Sequence, residues 1–286
     1  MIHSASFTIK GNKLINKKSQ LAMGFGAFAL VAALAGCAPA ATPTATPSET
    51  ATAAATKAHW TYEGAEGPAN WGTLDASYAL CADGTAQSPI NVEAPVATDL
   101  VNIKFDYQAT EAGVFNNGHT VEAEPLTEGK DTITLDGVTY PFLQFHFHAP
   151  SEHEINGVRY PLEVHFVHKT TDGKIAVVGI LFKEGAENKA WQPFIDDIAK
   201  ATATAEDTKL ELDWASLLPA DQSTIRYDGS LTTPGCSEGV KWNVIAKPIT
   251  MSAKQIAAFT AAYANNSRPV QALNGRKVVI DSTPSK

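Results

Sequence analysis

The sequence predicts an α+β fold that is mainly β, built as a single domain over residues 58–286. Segments with the alternation of strands outnumber those with helical spacing, of which there are two. No internal repeat and no second break in composition divides this region. With 286 residues, 44% of them hydrophobic, the chain is long enough for one large core or two small ones.

The first 36 residues have the pattern of an export signal. Four lysines precede an apolar run over residues 21–36, an order typical of a secretory signal peptide, and the run is short for a membrane span. It ends Leu34-Ala35-Gly36-Cys37, which resembles the bacterial lipoprotein cleavage box. That resemblance implies that Cys37 becomes the lipidated first residue of the mature protein. An ordinary signal peptide followed by an unrelated cysteine is the alternative.

The next segment, residues 37–57, is predicted to be a tether. Beyond Cys37 it contains mostly Ala, Thr and Pro and lacks the apolar content for a core, so we expect a flexible or extended chain. A tether between a lipid and a folded domain would hold that domain at a membrane. We therefore expect an exported protein that is lipid-anchored at the bacterial cell envelope, in the periplasm or on the outer surface.

Three segments within the predicted domain have the sequence patterns of β-strands. Alternation predicts strands over residues 101–107 and 132–135, and Asp136-Gly137 after the second is a hairpin signal. The run over residues 175–182 is nearly all apolar and rich in β-branched side chains, which predicts a strand buried on both faces.

Two segments have helical spacing. The first covers residues 188–200, with Trp191 and Phe194 on its apolar face. The second covers residues 252–263, where Ser252 followed by Gln255 is a capping-box pattern. Strand patterns therefore dominate and helices are few, which predicts one sheet-centred domain.

Histidines are concentrated on one face of a predicted strand. Side chains alternate between the two faces of a strand, so residues 143–148 divide into a polar set and an apolar set. The polar face holds Gln144, His146 and His148, and the apolar face, which we expect to pack in the core, holds Leu143, Phe145 and Phe147. His165 lies at the centre of a second strand pattern over residues 162–167.

These three histidines form a candidate metal site. Three neutral imidazoles on adjacent strands can hold Zn²⁺ and leave the fourth position open, whereas closed structural sites usually include cysteine. Gln144 precedes His146 by two positions and Glu163 precedes His165 by two, so each can hydrogen-bond the far ring nitrogen of its histidine. The alternative is a His-x-His pair without metal, which is common in strands.

Several motifs in order resemble the α-class carbonic anhydrases of bacteria. They occupy residues 87–92, 144–148, 151–153, 163–168 and 230–234, and the resemblance covers about residues 58 to 280. It implies a large, twisted, mostly antiparallel sheet with peripheral helices and a Zn²⁺ cofactor held by His146, His148 and His165. It also implies reversible hydration of CO2 to bicarbonate and a proton, through attack by a hydroxide on zinc and with a histidine as proton shuttle.

The resemblance assigns the remaining site residues. It implies that the Thr232 hydroxyl donates to Glu152 and orients the nucleophile, that Thr233 contacts bicarbonate and that His119 exports the proton. The water network is assigned to Tyr62 and Asn117, and the apolar wall for CO2 to Val167, Val177, Leu231 and Trp242. A turn residue at 232, a loop histidine at 119 and ordinary core residues in the wall are the alternatives.

Four residues need separate expectations. Glu122 departs from the family, which usually has an amide there, and we expect this carboxylate to raise the pKa of His119 and alter the water network. His168 lies three positions after His165 and should face away from the metal. His153 is expected to be a hydrogen-bonded structural histidine. His59, at the start of the domain, is not expected to be a ligand.

Cys81 and Cys236 remain once Cys37 is set aside. An exported protein meets an oxidising compartment, so this pair is typical of a disulfide, and bacterial members of the family resemble the pattern. The bridge would hold the loop that follows Thr232. Two free buried thiols are the alternative.

The chain without its predicted signal peptide is acidic. Without residues 1–36 the chain keeps 18 Lys and Arg against 30 Asp and Glu, a net charge of −12, which argues against nucleic-acid binding. The expected partners are CO2 or bicarbonate and a membrane through the lipid anchor. The sequence itself does not specify an oligomeric state, and only the resemblance to bacterial relatives, which are often dimeric, implies a homodimer. A non-catalytic carbonic-anhydrase-like binding module and a zinc hydrolase of activated esters are the competing functions.

Overall fold

A large mixed sheet dominates the fold, as the strand patterns predict. The computed structural model describes residues 58–205 and 208–281, all of which fall in one unit. The predicted signal peptide, Cys37 and the tether lie outside the described residues. No helix in the described part of the chain is long and apolar enough to cross a membrane.

The strands of the described residues vary in length, and the two longest, Val138–His148 and Ile175–Glu184, lie near the middle of the chain. In chain order they are β1 Asn91–Val92, β2 Val96–Thr98, β3 Lys104–Asp106, β4 Ala109–Asn116, β5 Val121–Pro125, β6 Thr132–Leu135, β7 Val138–His148, β8 Glu154–Ile155, β9 Val158–Arg159, β10 Leu162–Lys169, β11 Ile175–Glu184, β12 Lys209–Asp213, β13 Thr224–Ser230, β14 Glu238–Ile245, β15 Ile249–Met251 and β16 Val279–Asp281.

Thirteen of these strands form one sheet, whose main path runs in the order β12-β4-β5-β7-β10-β11-β14-β13-β16-β2. Neighbours are antiparallel except at β11–β14 and β16–β2, and β15 also lies parallel to β11. A small separate sheet contains β1, β8 and β9. The predicted mostly antiparallel sheet is therefore present, with β7 and β10 near its middle.

Helices are few in the described part of the chain. They are α1 Trp71–Leu74, α2 Leu80–Asp83, α3 Gln192–Asp197 and α4 Ala253–Ala262, with 3₁₀ turns at Gly64–Glu66, Ala76–Tyr78, Ile198–Lys200 and Trp214–Leu217. Ser252 caps α4 in a capping box with Gln255, as predicted. The helix predicted over residues 188–200 is shorter: α3 begins only at Gln192, with a proline in its first turn where no backbone donor is needed.

The predicted strand over residues 132–135 is present, and so is its hairpin turn. Asp136 and Gly137 have φ angles of 50° and 79°, the left-handed values that a tight turn of this kind requires. The predicted strand over residues 101–107 is reduced to β3, because only Lys104–Asp106 find partners on β6.

The apolar face of β7 packs into an aromatic core. Phe145 and Phe147 are fully buried and contact Trp191 and Phe194 beside α3 at ring-centroid distances of 4.8–5.7 Å. This packing fixes β7 from behind, so the opposite face of the strand is held rigidly.

Leu143 does not share that core, and its predicted place there is wrong. It is 46% exposed. Along β10, Val167 pairs with Gln144 and His168 pairs with Phe142, so Leu143 is the extra residue of a β-bulge. The bulge resets the alternation, and strict alternation holds only from Gln144 onwards.

Candidate metal centre

The pairing of β7 with β10 brings the three predicted histidines together. His165 lies directly opposite His146, and Glu163 lies opposite His148. The three rings have centroids 4.6–5.3 Å apart, and one nitrogen of each ring lies within 4.8 Å of the others. The trio therefore converges on one point.

Each of these rings is oriented by a hydrogen bond at its other nitrogen. Nδ1 of His146 lies 2.8 Å from Oε1 of Gln144, and Nε2 of His165 lies 2.9 Å from Oε1 of Glu163, as predicted. Nδ1 of His148 donates to the backbone carbonyl of Asn266 at 2.7 Å. No sequence pattern indicated Asn266, because its backbone carbonyl acts 118 positions away and every residue type carries such a group.

The remaining nitrogens are the ones that could hold a metal. They are Nε2 of His146, Nε2 of His148 and Nδ1 of His165. Nε2 of His148 is buried and has no hydrogen-bond partner in the described part of the chain. Burial, together with the neighbouring histidines, holds the pKa of His146 well below its usual value. Burial also lowers the pKa of His148, although Glu152 opposes the shift. Three converging imidazoles, one of them with a buried nitrogen that has no partner among the described residues, fit a Zn²⁺ ion.

Glu163 anchors the centre. Burial acts to raise its pKa, but His153, His165 and their hydrogen bonds hold it well below the usual value, so the group is a carboxylate. Its Oε2 accepts the backbone N–H groups of Glu152 and His153 at 2.9 and 2.8 Å. The carboxylate thus connects the backbone of residues 152–153 to His165 of the trio.

The other histidines are not part of the trio, as predicted. His153 has Nδ1 at 2.7 Å from Glu163 and Nε2 at 2.6 Å from the Tyr227 hydroxyl, so both of its nitrogens are engaged in hydrogen bonds. His168 is buried on the opposite face of β10 and contacts the hydroxyl of Tyr107 and the carbonyl of Ala176. His59 is exposed and lies beside Glu66.

A cavity of about 230 Å³ opens in front of the trio. Its apolar wall contains the four residues predicted to line it, which are Val167, Val177, Leu231 and Trp242. Its polar side contains Tyr62, Asn117, His119, Glu122, Thr232 and Thr233. Trp60 also lines the cavity and was not predicted. The cavity therefore joins one apolar surface and one polar surface at the histidines.

Glu152 lies behind the histidines and is fully buried. Its Oε1 accepts the backbone N–H of Arg268 at 2.8 Å, a contact the sequence did not predict. Its Oε2 lies 3.6 Å from Nε2 of His148 and 3.9 Å from Nδ1 of His165, and it has no hydrogen-bond donor among the described residues. No described donor reaches this oxygen, so the predicted bond from Thr232 to Glu152 is not formed here.

His119 lies at the mouth of the cavity and stacks on Trp60, with ring centroids 3.6 Å apart and planes 6° apart. Burial, and secondarily His59, lowers the pKa of His119. The expectation that Glu122 raises this pKa is thus wrong. The Glu122 side chain instead accepts a hydrogen bond from Asn117, and burial raises the pKa of Glu122 itself to about 7 despite that bond.

The predicted disulfide between Cys81 and Cys236 is present. The backbone N–H of Cys236 donates to the carbonyl of Thr233 at 2.9 Å, and its carbonyl accepts from Gln87 at 3.0 Å. The bridge therefore holds the end of the loop that carries Thr232 and Thr233.

The chain matches the model of one protein family over residues 66–282, described as eukaryotic-type carbonic anhydrase. A carbonic anhydrase of Klebsiella pneumoniae is 42% identical over 223 residues, which is 78% of this chain and 91% of the relative. One of Neisseria gonorrhoeae is 39% identical over 77% of this chain and 87% of the relative. The solved α-carbonic anhydrase of Thermovibrio ammonificans, in complex with the inhibitor sulfanilamide, aligns with a TM-score of 0.72 and 40% identity, covering 78% of this chain and 99% of that one.

Proposed function

Because the chain belongs to the α-class, eukaryotic-type carbonic anhydrase family and is an enzyme of that kind, we propose that it uses three histidines to hold Zn²⁺ and a fourth to export a proton. The reaction is the reversible hydration of CO2 to bicarbonate and a proton. The observation that carries this proposal is the geometry of His146, His148 and His165, whose outer nitrogens are hydrogen-bonded and whose inner nitrogens converge.

The donor set accounts for the chemistry. When bound by three imidazoles with one position open, Zn²⁺ lowers the pKa of a water molecule to about 7, and carbonic anhydrase is itself the standard example of this effect. Gln144, Glu163 and the carbonyl of Asn266 fix which ring nitrogen of each histidine is free. These residues set the tautomers before any metal arrives.

CO2 is apolar, and the cavity provides an apolar wall for it. Val167, Val177, Leu231 and Trp242 lie on the side of the cavity next to the histidines. Such a wall holds CO2 without displacing water from polar groups, and the polar side of the same cavity leaves room for bicarbonate at Thr233.

Glu152 and Thr232 together favour a bound group whose oxygen carries a hydrogen over one that lacks it. Glu152 is buried with an Oε2 that lacks a donor, so it is ready to accept the hydroxyl proton of Thr232. Once the Thr232 hydroxyl donates its only hydrogen to Glu152, the Thr232 oxygen can act only as an acceptor. It therefore favours a bound group whose oxygen carries a hydrogen. Two features support this proposal: Thr232 lines the cavity, and Glu152 Oε2 lies within 4 Å of two of the histidine nitrogens.

His119 is suited to carry the proton to solvent. It lines the cavity and is partly exposed, so it can take a proton on the cavity side and release it to solvent. A lowered pKa favours the neutral ring, which is the form that accepts a proton. Tyr62 and Asn117 line the same side of the cavity and give polar groups on which a chain of waters can form.

The test pairs metal analysis with a rate measurement. His146→Ala leaves two protein ligands, so we expect the zinc content of the purified domain to fall from one per chain to near zero and CO2 hydration to be nearly abolished. His59→Ala, an exposed histidine outside the trio, should keep both. A His146→Ala protein that still binds one zinc, or an enzyme that keeps its rate after complete chelation, would contradict the proposal.

We further propose that the enzyme is exported and anchored through a lipid on Cys37. The sequence pattern over residues 1–57 supports this, and the disulfide is of the kind that forms in oxidising compartments. Membrane association that persists in a Cys37→Ser variant would contradict the anchor.

A further inference from the structure

Glu122 is a buried carboxylate that has no role in the reaction proposed above. It lies on β5, lines the active-site cavity and pairs in register with His146. Its side chain accepts a hydrogen bond from the amide nitrogen of Asn117. Burying a carboxylate is costly, so a group kept in this place calls for a physical account.

The partner of Glu122 controls the turn that carries His119. Oδ1 of Asn117 accepts the backbone N–H of His119 at 2.8 Å and that of Thr120 at 2.9 Å. An amide has a donor end and an acceptor end, whereas a carboxyl oxygen of Glu122 that carries no proton can only accept. Glu122 therefore takes the donor end of Asn117 and leaves the oxygen for the turn.

Other contacts hold different parts of the same turn. Nδ2 of Asn266 donates to the carbonyl of His119 at 3.2 Å, and the hydroxyl of Thr120 donates to the carbonyl of Phe147 at 2.7 Å. The N–H of His119 is held by Asn117, whose own side chain is exposed and would otherwise be free to turn towards water.

We propose that Glu122 is a positioning residue for His119, acting through Asn117. The carboxylate fixes the orientation of the amide, the amide oxygen caps the turn, and the turn places the imidazole at the cavity mouth. This inference rests on the proposed role of His119 in proton export.

The test compares two substitutions of similar size. Glu122→Leu removes the acceptor, whereas Glu122→Gln keeps an oxygen that can accept from Asn117. We expect Glu122→Leu to slow turnover in weak buffer by roughly threefold to tenfold, the effect of losing one positioning hydrogen bond, with kcat/KM for CO2 unchanged. Glu122→Gln should recover most of the rate. If Glu122→Leu does not fold, Glu122→Ala takes its place.

A double-mutant cycle shows whether the effect passes through Asn117. In an Asn117→Ala background, Glu122→Leu should cause no further loss. A second readout needs no metal: backbone hydrogen exchange at His119 and Thr120 should speed up in Glu122→Leu and not in Glu122→Gln. An equal loss in both backgrounds, or unchanged exchange, overturns the inference.

A control separates this inference from the proposed function. His119→Ala should slow turnover in weak buffer and recover with added imidazole. If His119→Ala has no effect at any buffer strength, the shuttle role itself fails. If it has the expected effect and Glu122→Leu has none, only the positioning role of Glu122 fails.

Discussion

At the scale of single residues, the sequence predicts some of the hydrogen-bond partners around the three histidines and not others. Gln144 and Glu163 could be predicted because two positions along a strand return a side chain to the same face. Asn266 and Arg268 could not, because each acts through a backbone group from a distant segment. The direction of the His119 pKa shift also depends on burial, which no local pattern specifies.

His168 gives a prediction about acid stability. Burial lowers its pKa from 6.5 to about 3. Between these values the unfolded chain binds a proton that the folded chain does not, so stability falls as pH falls through this window and levels off below it. His168 alone should contribute a slope of at most about 1.4 kcal/mol per pH unit.

Urea denaturation of the wild type and His168→Gln at several pH values measures this slope. The variant loses the contacts to Tyr107 and Ala176 and should be less stable at pH 8, but the gap should narrow as pH falls from 6.5 towards 4. Parallel stability curves for the two proteins would show that His168 is not the group responsible.

At the scale of elements, periodicity located the strands but not their irregularities. The alternation that places Phe145 and Phe147 in the core also placed Leu143 there, and the bulge opposite Val167–His168 removes it. A bulge arises from how two strands are matched, so one strand read alone cannot reveal it. The start of α3 was misplaced for a related reason, since residues 188–191 form turns and the helix begins only beside its proline.

The bulge predicts unequal effects for residues that one strand pattern treats as equivalent. Leu143→Gln should change the free energy of unfolding by less than about 0.5 kcal/mol, because the side chain is half exposed. Phe145→Ala should cost about 3–5 kcal/mol, because it leaves a cavity among Trp191, Phe194 and Phe166. Chemical denaturation of both variants checks this, and similar costs would refute the assignment of the bulge.

At the scale of the whole molecule, the sequence predicts a mainly β domain but not the order of its strands. The parallel pairing of β11 with β14 joins segments more than fifty positions apart, and no local signal specifies it.

Hydrogen bonds between segments that are distant in sequence also converge at Arg268. Its buried guanidinium donates to Gln87, Ser88 and the carbonyl of Cys81, while its backbone N–H donates to Glu152. One residue thus links the disulfide region to the metal centre.

The disulfide should make a large contribution to stability. It joins residues 155 positions apart, and restricting an unfolded loop of that length is worth about 4–5 kcal/mol. We expect a Cys81→Ser, Cys236→Ser double variant to lose a similar amount in urea denaturation, and the reduced wild type to match it. A loss below about 1 kcal/mol would show that the unfolded chain is not restricted in this way.

The contacts of Asn266 and Arg268 have a consequence for biosynthesis. His148 receives its partner from a residue added to the growing chain 118 steps later, and Glu152 receives its own 116 steps later. A ribosome therefore completes β7, β10 and β11 long before the segment that orients their side chains exists. The candidate metal centre therefore cannot be completed before the segment around residue 266 is made, and a chain that stops short of it carries the three histidines without the partner of His148.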